Sequence, residues 1–176
     1  MSIHDDLFVS NANENELKVW NISSHTLQFT INSVINNRTG YFTTLALLDT
    51  GLVASGLSFG GIKVWNPVNG SVGLTLNGSN SVNNGIDILF PIDNGLLAAV
   101  TNLTKIKLFD AKSGSLFFTL EGHTDRVSCL GLSGYFISGS WDHKIVVWDI
   151  FTGEILSSFN STIGGHTGSV NALIHV

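Results

Sequence analysis

Residues Gly122–Asp149, GHTDRVSCLGLSGYFISGSWDHKIVVWD, decide how the rest of the chain is read. The stretch opens on Gly-His and runs into a short apolar strand. A second strand ends Ser-Gly-Ser, a tight Trp-Asp-His turn follows, and a third apolar strand closes on Trp148-Asp149. Short runs of β-branched and aromatic residues between clusters of Gly, Ser and Asp predict antiparallel hairpins. Ser138 and Asp142 fall ten and six residues before the closing Trp148.

Weaker copies of this unit fill the remainder. Aligned on the closing aromatic, Trp20, Trp65, Phe109 and Trp148 are separated by 45, 44 and 39 residues. A period of about 40–45 residues suits a unit of four strands, and the last interval lies just below it. Each anchor is followed by a segment of constant length: NISSHTLQFTI, NPVNGSVGLTL, DAKSGSLFFTL and DIFTGEILSSF. Gly70, Gly114 and Gly153 stand five residues after their anchors, where a hairpin turn needs positive φ, and His25 takes that place in the first copy. The strands before the anchors agree too: Leu17–Trp20, Ile62–Trp65, Ile106–Phe109 and Ile145–Trp148. Second strands are predicted at Leu7–Ala12, Leu52–Leu57, Leu96–Thr101 and Tyr135–Ser140, and first strands at Phe42–Leu48, Ile86–Phe90 and Val127–Leu132. A last first-type strand, Val170–Val176, follows a second Gly-His-Thr at Gly165–Thr167.

On its Gly-His opening and Trp-Asp close, the chain resembles the WD-repeat β-propeller family. The resemblance implies an all-β fold: about four four-stranded blades of a partial or half propeller, in a single segment over 1–176 with the last strand belonging to the next or first blade. It implies a structural tetrad of His123, Ser138, Asp142 and Trp148, hydrogen-bonded between the loop before the first strand and the third strand. The other copies depart from that pattern. Glu14 and Phe59 stand at the Asp position of copies one and two, and copy three has Ala99, Leu103 and Phe109. The tetrad is therefore expected in the fourth copy alone. Family rings close at about seven or eight blades, so the chain is either part of a longer one or half of an assembly. Two copies exchanging the terminal strand would close an eight-bladed ring.

Composition narrows the function. The 176 residues are 43% hydrophobic and 12% charged, with 19 Gly and 2 Pro, which favours β structure over helix. A net charge of −5 with eight Lys plus Arg argues against nucleic acid or an anionic membrane as partner. The single cysteine, Cys129, excludes an internal disulfide framework. No signal peptide or run of about 18 apolar residues is found, so no membrane contact is expected and the cytoplasm is the expected compartment. Six Asn-x-Ser/Thr tripeptides, at Asn21, Asn37, Asn69, Asn77, Asn102 and Asn160, are what chance gives in a chain this rich in those residues.

Ser138, His123 and Asp142 are the residue types of a hydrolase triad, but Ser138 lies in Phe-Ile-Ser-Gly-Ser and not on a Gly-x-Ser-x-Gly elbow. The six histidines form no His-x-x-x-His or His-x-His pair, and no phosphate loop is present, so neither a metal nor a cofactor is expected. A binding surface is the better expectation. The resemblance implies that the loops before strand one and the turns between strands two and three share one face. There it places Arg126, Ser128 and Trp141 of the fourth copy, with Phe59 and Asn171 and also Thr43, Asp87, Asn102 and Ser169. Trp and Arg combine large contact area with a polar handle, so Trp141 leads as an anchor, its alternative being packing over a neighbouring turn. The expected role is a non-catalytic scaffold docking peptides or protein domains. An enzyme using the central opening, or a truncated array with only a structural role, are the alternatives.

Overall fold

The computed structural model describes residues 6–11, 15–78 and 84–174. Blade one contains β1 (Leu7–Asn11), β2 (Glu16–Asn21) and β3 (Thr26–Asn32). Blade two contains β4 (Phe42–Leu47), β5 (Val53–Leu57), β6 (Gly61–Trp65) and β7 (Val72–Asn77). Blade three contains β8 (Ile86–Ile92), β9 (Leu96–Thr101), β10 (Lys105–Asp110) and β11 (Leu116–Leu120). Blade four contains β12 (Val127–Leu132), β13 (Phe136–Ser140), β14 (Ile145–Trp148) and β15 (Ile155–Phe159). Among the described residues every sheet is an antiparallel meander in which each strand pairs only with its neighbours in sequence; three sheets have four strands and the first has three.

The repeat extends to irregularities. In all four blades the register shifts just before the anchor, between Val19 and Trp20, Val64 and Trp65, Leu108 and Phe109, and Val147 and Trp148. The first and second strands shift likewise at Phe42/Thr44, Ile86/Ile88 and Val127/Cys129. Such bulges bend and twist a strand, so their recurrence gives each blade the same twist. Positive φ recurs at the hairpin after each anchor, at Gly70, Gly114 and Gly153, and His25 adopts it at 56°.

The core lies between blades. Leu17, Val19 and Ile31 of blade one pack on Phe42, Val53, Leu57 and Trp65 of blade two. Ile62, Val64 and Leu76 of blade two meet Ile86, Leu97, Ala99 and Phe109 of blade three. Val100, Ile106 and Leu108 of blade three meet Val127, Phe136, Val146 and Trp148 of blade four. With both faces of blades two and three covered, β5 and β6 are buried along their whole length.

One expected strand is absent. Residues 170–174 form no strand, and the remainder of the expected Val170–Val176 element lies outside the described residues. Val170 starts as a first strand should: its N–H donates to the Ser140 carbonyl at 3.0 Å and its carbonyl accepts from Ser128 Oγ. A first strand needs a second strand beside it, and beyond blade four none follows among the described residues. Ile174 is accordingly 89% exposed.

Candidate functional site

The fourth blade brings its four tetrad residues together. Trp148 Nε1–H donates to Ser138 Oγ at 2.8 Å, and Ser138 Oγ lies 2.7 Å from His123 Nε2. His123 Nδ1 lies 2.9 Å from Asp142 Oδ2. The tautomer with the proton on Nδ1 satisfies every group in one direction: indole to hydroxyl, hydroxyl to Nε2, Nδ1–H to carboxylate. Asp142 also accepts from the N–H groups of Thr124 and Lys144, each at 2.9 Å. Burial works to raise the Asp142 carboxyl, but the bonds from Thr124, His123 and Lys144 outweigh it and hold it below its ordinary value. The loop before β12 and the β13–β14 turn are thereby tied to each other and to β14.

This network has the donor order of a Ser-His-Asp hydrolase triad, but its serine is sealed. Ser138 is 0% exposed, its oxygen is capped by the Trp148 indole, and His123 is buried over it. A nucleophile needs a substrate-accessible oxygen and a vacant site beside it, and Ser138 has neither. Among the described residues, no group of three or more His, Cys, Asp and Glu is placed to hold a metal ion.

Half of the tetrad survives where only the fourth copy was expected to carry its hydrogen bonds. Trp20 Nε1 donates to Ser10 Oγ at 2.8 Å, and Trp65 Nε1 to Ser55 Oγ at 2.7 Å. Copy three replaces this pair with Ala99 and Phe109, both buried in apolar contact with neither polar partner left over.

The residues expected on the loop face separate into two groups. Trp141 is 45% exposed, and the Arg126 guanidinium carbon lies 5.7 Å from its ring centroid. Arg126 Nη2 also reaches Asp87 Oδ1 of blade three at 3.1 Å, so one arginine joins an aromatic of its own blade to a carboxylate of the next. Burial raises the Asp87 carboxyl above its ordinary value although Arg126 pulls the other way. Asn171 is exposed as well. Phe59, by contrast, is only 8% exposed and packs in the core between blades one and two, with Arg38 5.7 Å from its ring centroid. A large apolar ring at this turn is drawn under the neighbouring blade, so Phe59 is not presented to a partner. Ser128 is only half-buried, yet its hydroxyl is spent internally on the Val170 and Gly139 carbonyls. It works as a blade-to-blade tie, as Thr43 does when Oγ1 donates to the Ile86 carbonyl at 2.5 Å.

Two features escaped the sequence reading. A polar cavity of about 270 Å³ opens between blades two and three, lined by Tyr41, Thr43, Ser58, Asn84, Asp87 and Leu103. Tyr41 carried no repeat mark that would have singled it out. The second feature did have a signal: the residue after every anchor is Asn21, Asn66, Asp110 or Asp149. Each of these side chains accepts a backbone N–H two or three residues on, from Ser24, Val68, Lys112 and Phe151 respectively, shaping the hairpin.

The family described as "WD domain, G-beta repeat" matches residues 114–149. The chain carries a WD repeat. The match runs from β11, the last strand of blade three, through β14 of blade four, and includes all four tetrad residues. Similarity to curated proteins is short: 44% identity over 48 residues to the SAGA complex subunit Spt8 of Schizosaccharomyces pombe, and 43% over 44 residues to the SAGA complex subunit SPT8 of Saccharomyces cerevisiae. These segments cover 26% and 23% of this chain but only 9% and 7% of the relatives. In structure the whole chain is similar to a computationally designed protein, Ika8, with a TM-score of 0.80 and 27% identity over 99% of this chain and 51% of that one. A second designed protein, Ika4, superposes with a TM-score of 0.67 and 27% identity over 81% of this chain and 84% of its own. The fold is an all-β propeller-like array of blades.

Proposed function

We propose that this WD-repeat chain is a non-catalytic scaffold that docks peptides or protein domains on its loop face, with Trp141 and Arg126 as anchors. The observation that carries the reading is the Trp141–Arg126–Asp87 cluster. A half-exposed indole stands on a turn that the buried tetrad holds rigid, and its cationic neighbour is already positioned by a carboxylate across the blade boundary. Rigid aromatic and arginine side chains contribute most to interface energy because little freedom is lost when they are covered. The similarity to SAGA subunits favours a setting in a multi-subunit assembly, with other proteins as the partners. Hydrolysis is disfavoured because Ser138 is closed to any substrate.

The test begins with peptides selected from a random display library against the folded chain. Their affinity is then measured by calorimetry for the wild type, Trp141→Ala and Arg126→Ala. The expected loss on Trp141→Ala is tenfold or more, corresponding to about 1.4 kcal/mol or above, with far-UV circular dichroism unchanged. Peptides that bind all three proteins equally would overturn the assignment of the face.

A further inference from the structure

The two ends of the blade array are unlike faces, and each copies one half of an internal contact. Blade three turns Ala98, Ile106, Leu108 and Leu120 onto blade four. Strand register puts Ile137, Ile145, Val147 and Phe159 of blade four in those same places. Nothing among the described residues covers them fully: Phe159 is 46% exposed and the other three are half-buried. At the opposite end the pairing Phe8↔Trp20 repeats Phe136↔Trp148. Phe136 and Trp148 are buried against blade three, whereas Phe8 is 46% exposed and Trp20 half-buried.

The ladder shows the same complementarity. Among the described residues no first strand lies beside β1 of blade one, and there an apolar groove of about 260 Å³ is lined by Leu7, Val9, Leu45, Leu47, Val53 and Pro67. The segment from Val170 has the makings of a first strand without its blade. Val170 sits against Gly139, where an added Cβ would lie 2.6 Å from it, as Ile86 sits against Gly56 at 2.7 Å. Its carbonyl is held by Ser128 as that of Ile86 is held by Thr43. The designed protein Ika8 is about twice the length of this chain, which overlays half of it and leaves the space of a second such unit.

We propose that a second copy of this chain covers both faces. Blade four of each copy packs on blade one of the other, and the segment from Val170 of each adds as the missing first strand beside the other's β1. The pairing Gly131↔Ile137 of β12 with β13 then sets the register, placing Ile174 opposite the partner subunit's Val9. Each subunit gives and receives one strand, so the pair closes with no open end. The inference is independent of the loop-face reading, since none of its residues belongs to the Trp141 cluster.

The mass of the 176-residue chain is measured by sedimentation over a range of concentrations up to tens of micromolar. The expected value is twice 18.9 kDa. Val9→Cys with Ile174→Cys, in a Cys129→Ser background, is then oxidised. The expected product is a covalent dimer, reversed by reductant. Val147→Glu is expected to give the monomer mass with the circular dichroism of the wild type. A monomeric wild type, a dimer without the Val9–Ile174 cross-link, or an open series of larger oligomers each overturns the proposal. Because the cross-link is read separately from Val147→Glu, failure of that variant to fold does not remove the test.

Discussion

Replacing Ser138 by alanine tests the buried network at its centre. The oxygen removed is accepting from the Trp148 indole and donating to His123 Nε2, at 2.8 and 2.7 Å. Alanine has nearly the same volume, so no cavity enters the reckoning. Two hydrogen bonds at about 0.5–1.5 kcal/mol each set the lower part of the estimate, and two buried groups left unpaired raise it, because stranding a buried donor or acceptor costs about 1–3 kcal/mol. We expect a loss of about 2–4 kcal/mol. Ser10→Ala is the internal control: it removes the matching bond to Trp20, but that indole is half-buried and water replaces the partner, so the loss is about 0.5 kcal/mol. Urea unfolding followed by far-UV circular dichroism reads the total, and hydrogen exchange resolved by peptide shows whether protection falls in 122–149 first. Equal losses for Ser138→Ala and Ser10→Ala would refute the reasoning, since the two sites differ both in burial and in the second bond, to His123.

Two further outcomes follow from the geometry. His25→Gly relieves a left-handed backbone at φ 56° that its three counterparts meet with glycine, and a gain of about 0.5–1 kcal/mol in urea unfolding is expected; a loss would mean the histidine ring itself stabilises the turn. Asp142 is held below its ordinary value in the folded chain, so the stability it contributes is fully present above the unfolded carboxylate value of about 3.9 and is lost as pH falls through the lower folded value. Unfolding free energies measured between about pH 2 and 6 should therefore fall more steeply for the wild type than for Asp142→Asn, and parallel curves would remove Asp142 from the acid transition.

Much of the fold was legible because the repeat is written in residues that neighbouring blades force into one environment. The anchors and the strands before them were placed within a residue or so, since a core between two sheets admits only apolar side chains at alternate positions. The tetrad was legible only through the family resemblance, which implies the pairing of His123, Ser138, Asp142 and Trp148; the hydrogen bonds then follow from the need to satisfy polar groups in a buried site. The partial pairs at Ser10–Trp20 and Ser55–Trp65 were missed because the absence of Gly-His and Asp was taken to remove the whole network, whereas the indole–hydroxyl bond needs neither. Phe59 does sit in the turn between β5 and β6 but is buried there, because alignment gives a position in the repeat and not the depth of the turn at that position. The strand from Val170 was read from its own pattern, but a strand also needs an edge to pair with, and no second strand follows blade four among the described residues. Arg126 reaching across to Asp87 depends on how adjacent blades sit, which spacing along one blade does not encode.

The meander of every sheet bears on how the chain acquires its structure. Because each strand among the described residues pairs only with its sequence neighbours, none of these ladders requires closing a loop much longer than a hairpin. Contacts this local favour rapid folding for a β protein, one blade at a time, with each finished blade serving as a template for the next. Blade four, whose loop, turn and third strand are fastened by its own side chains, is the natural place for that growth to start. Structure would then propagate toward the N-terminus through blades three and two, reaching the three-stranded blade one last.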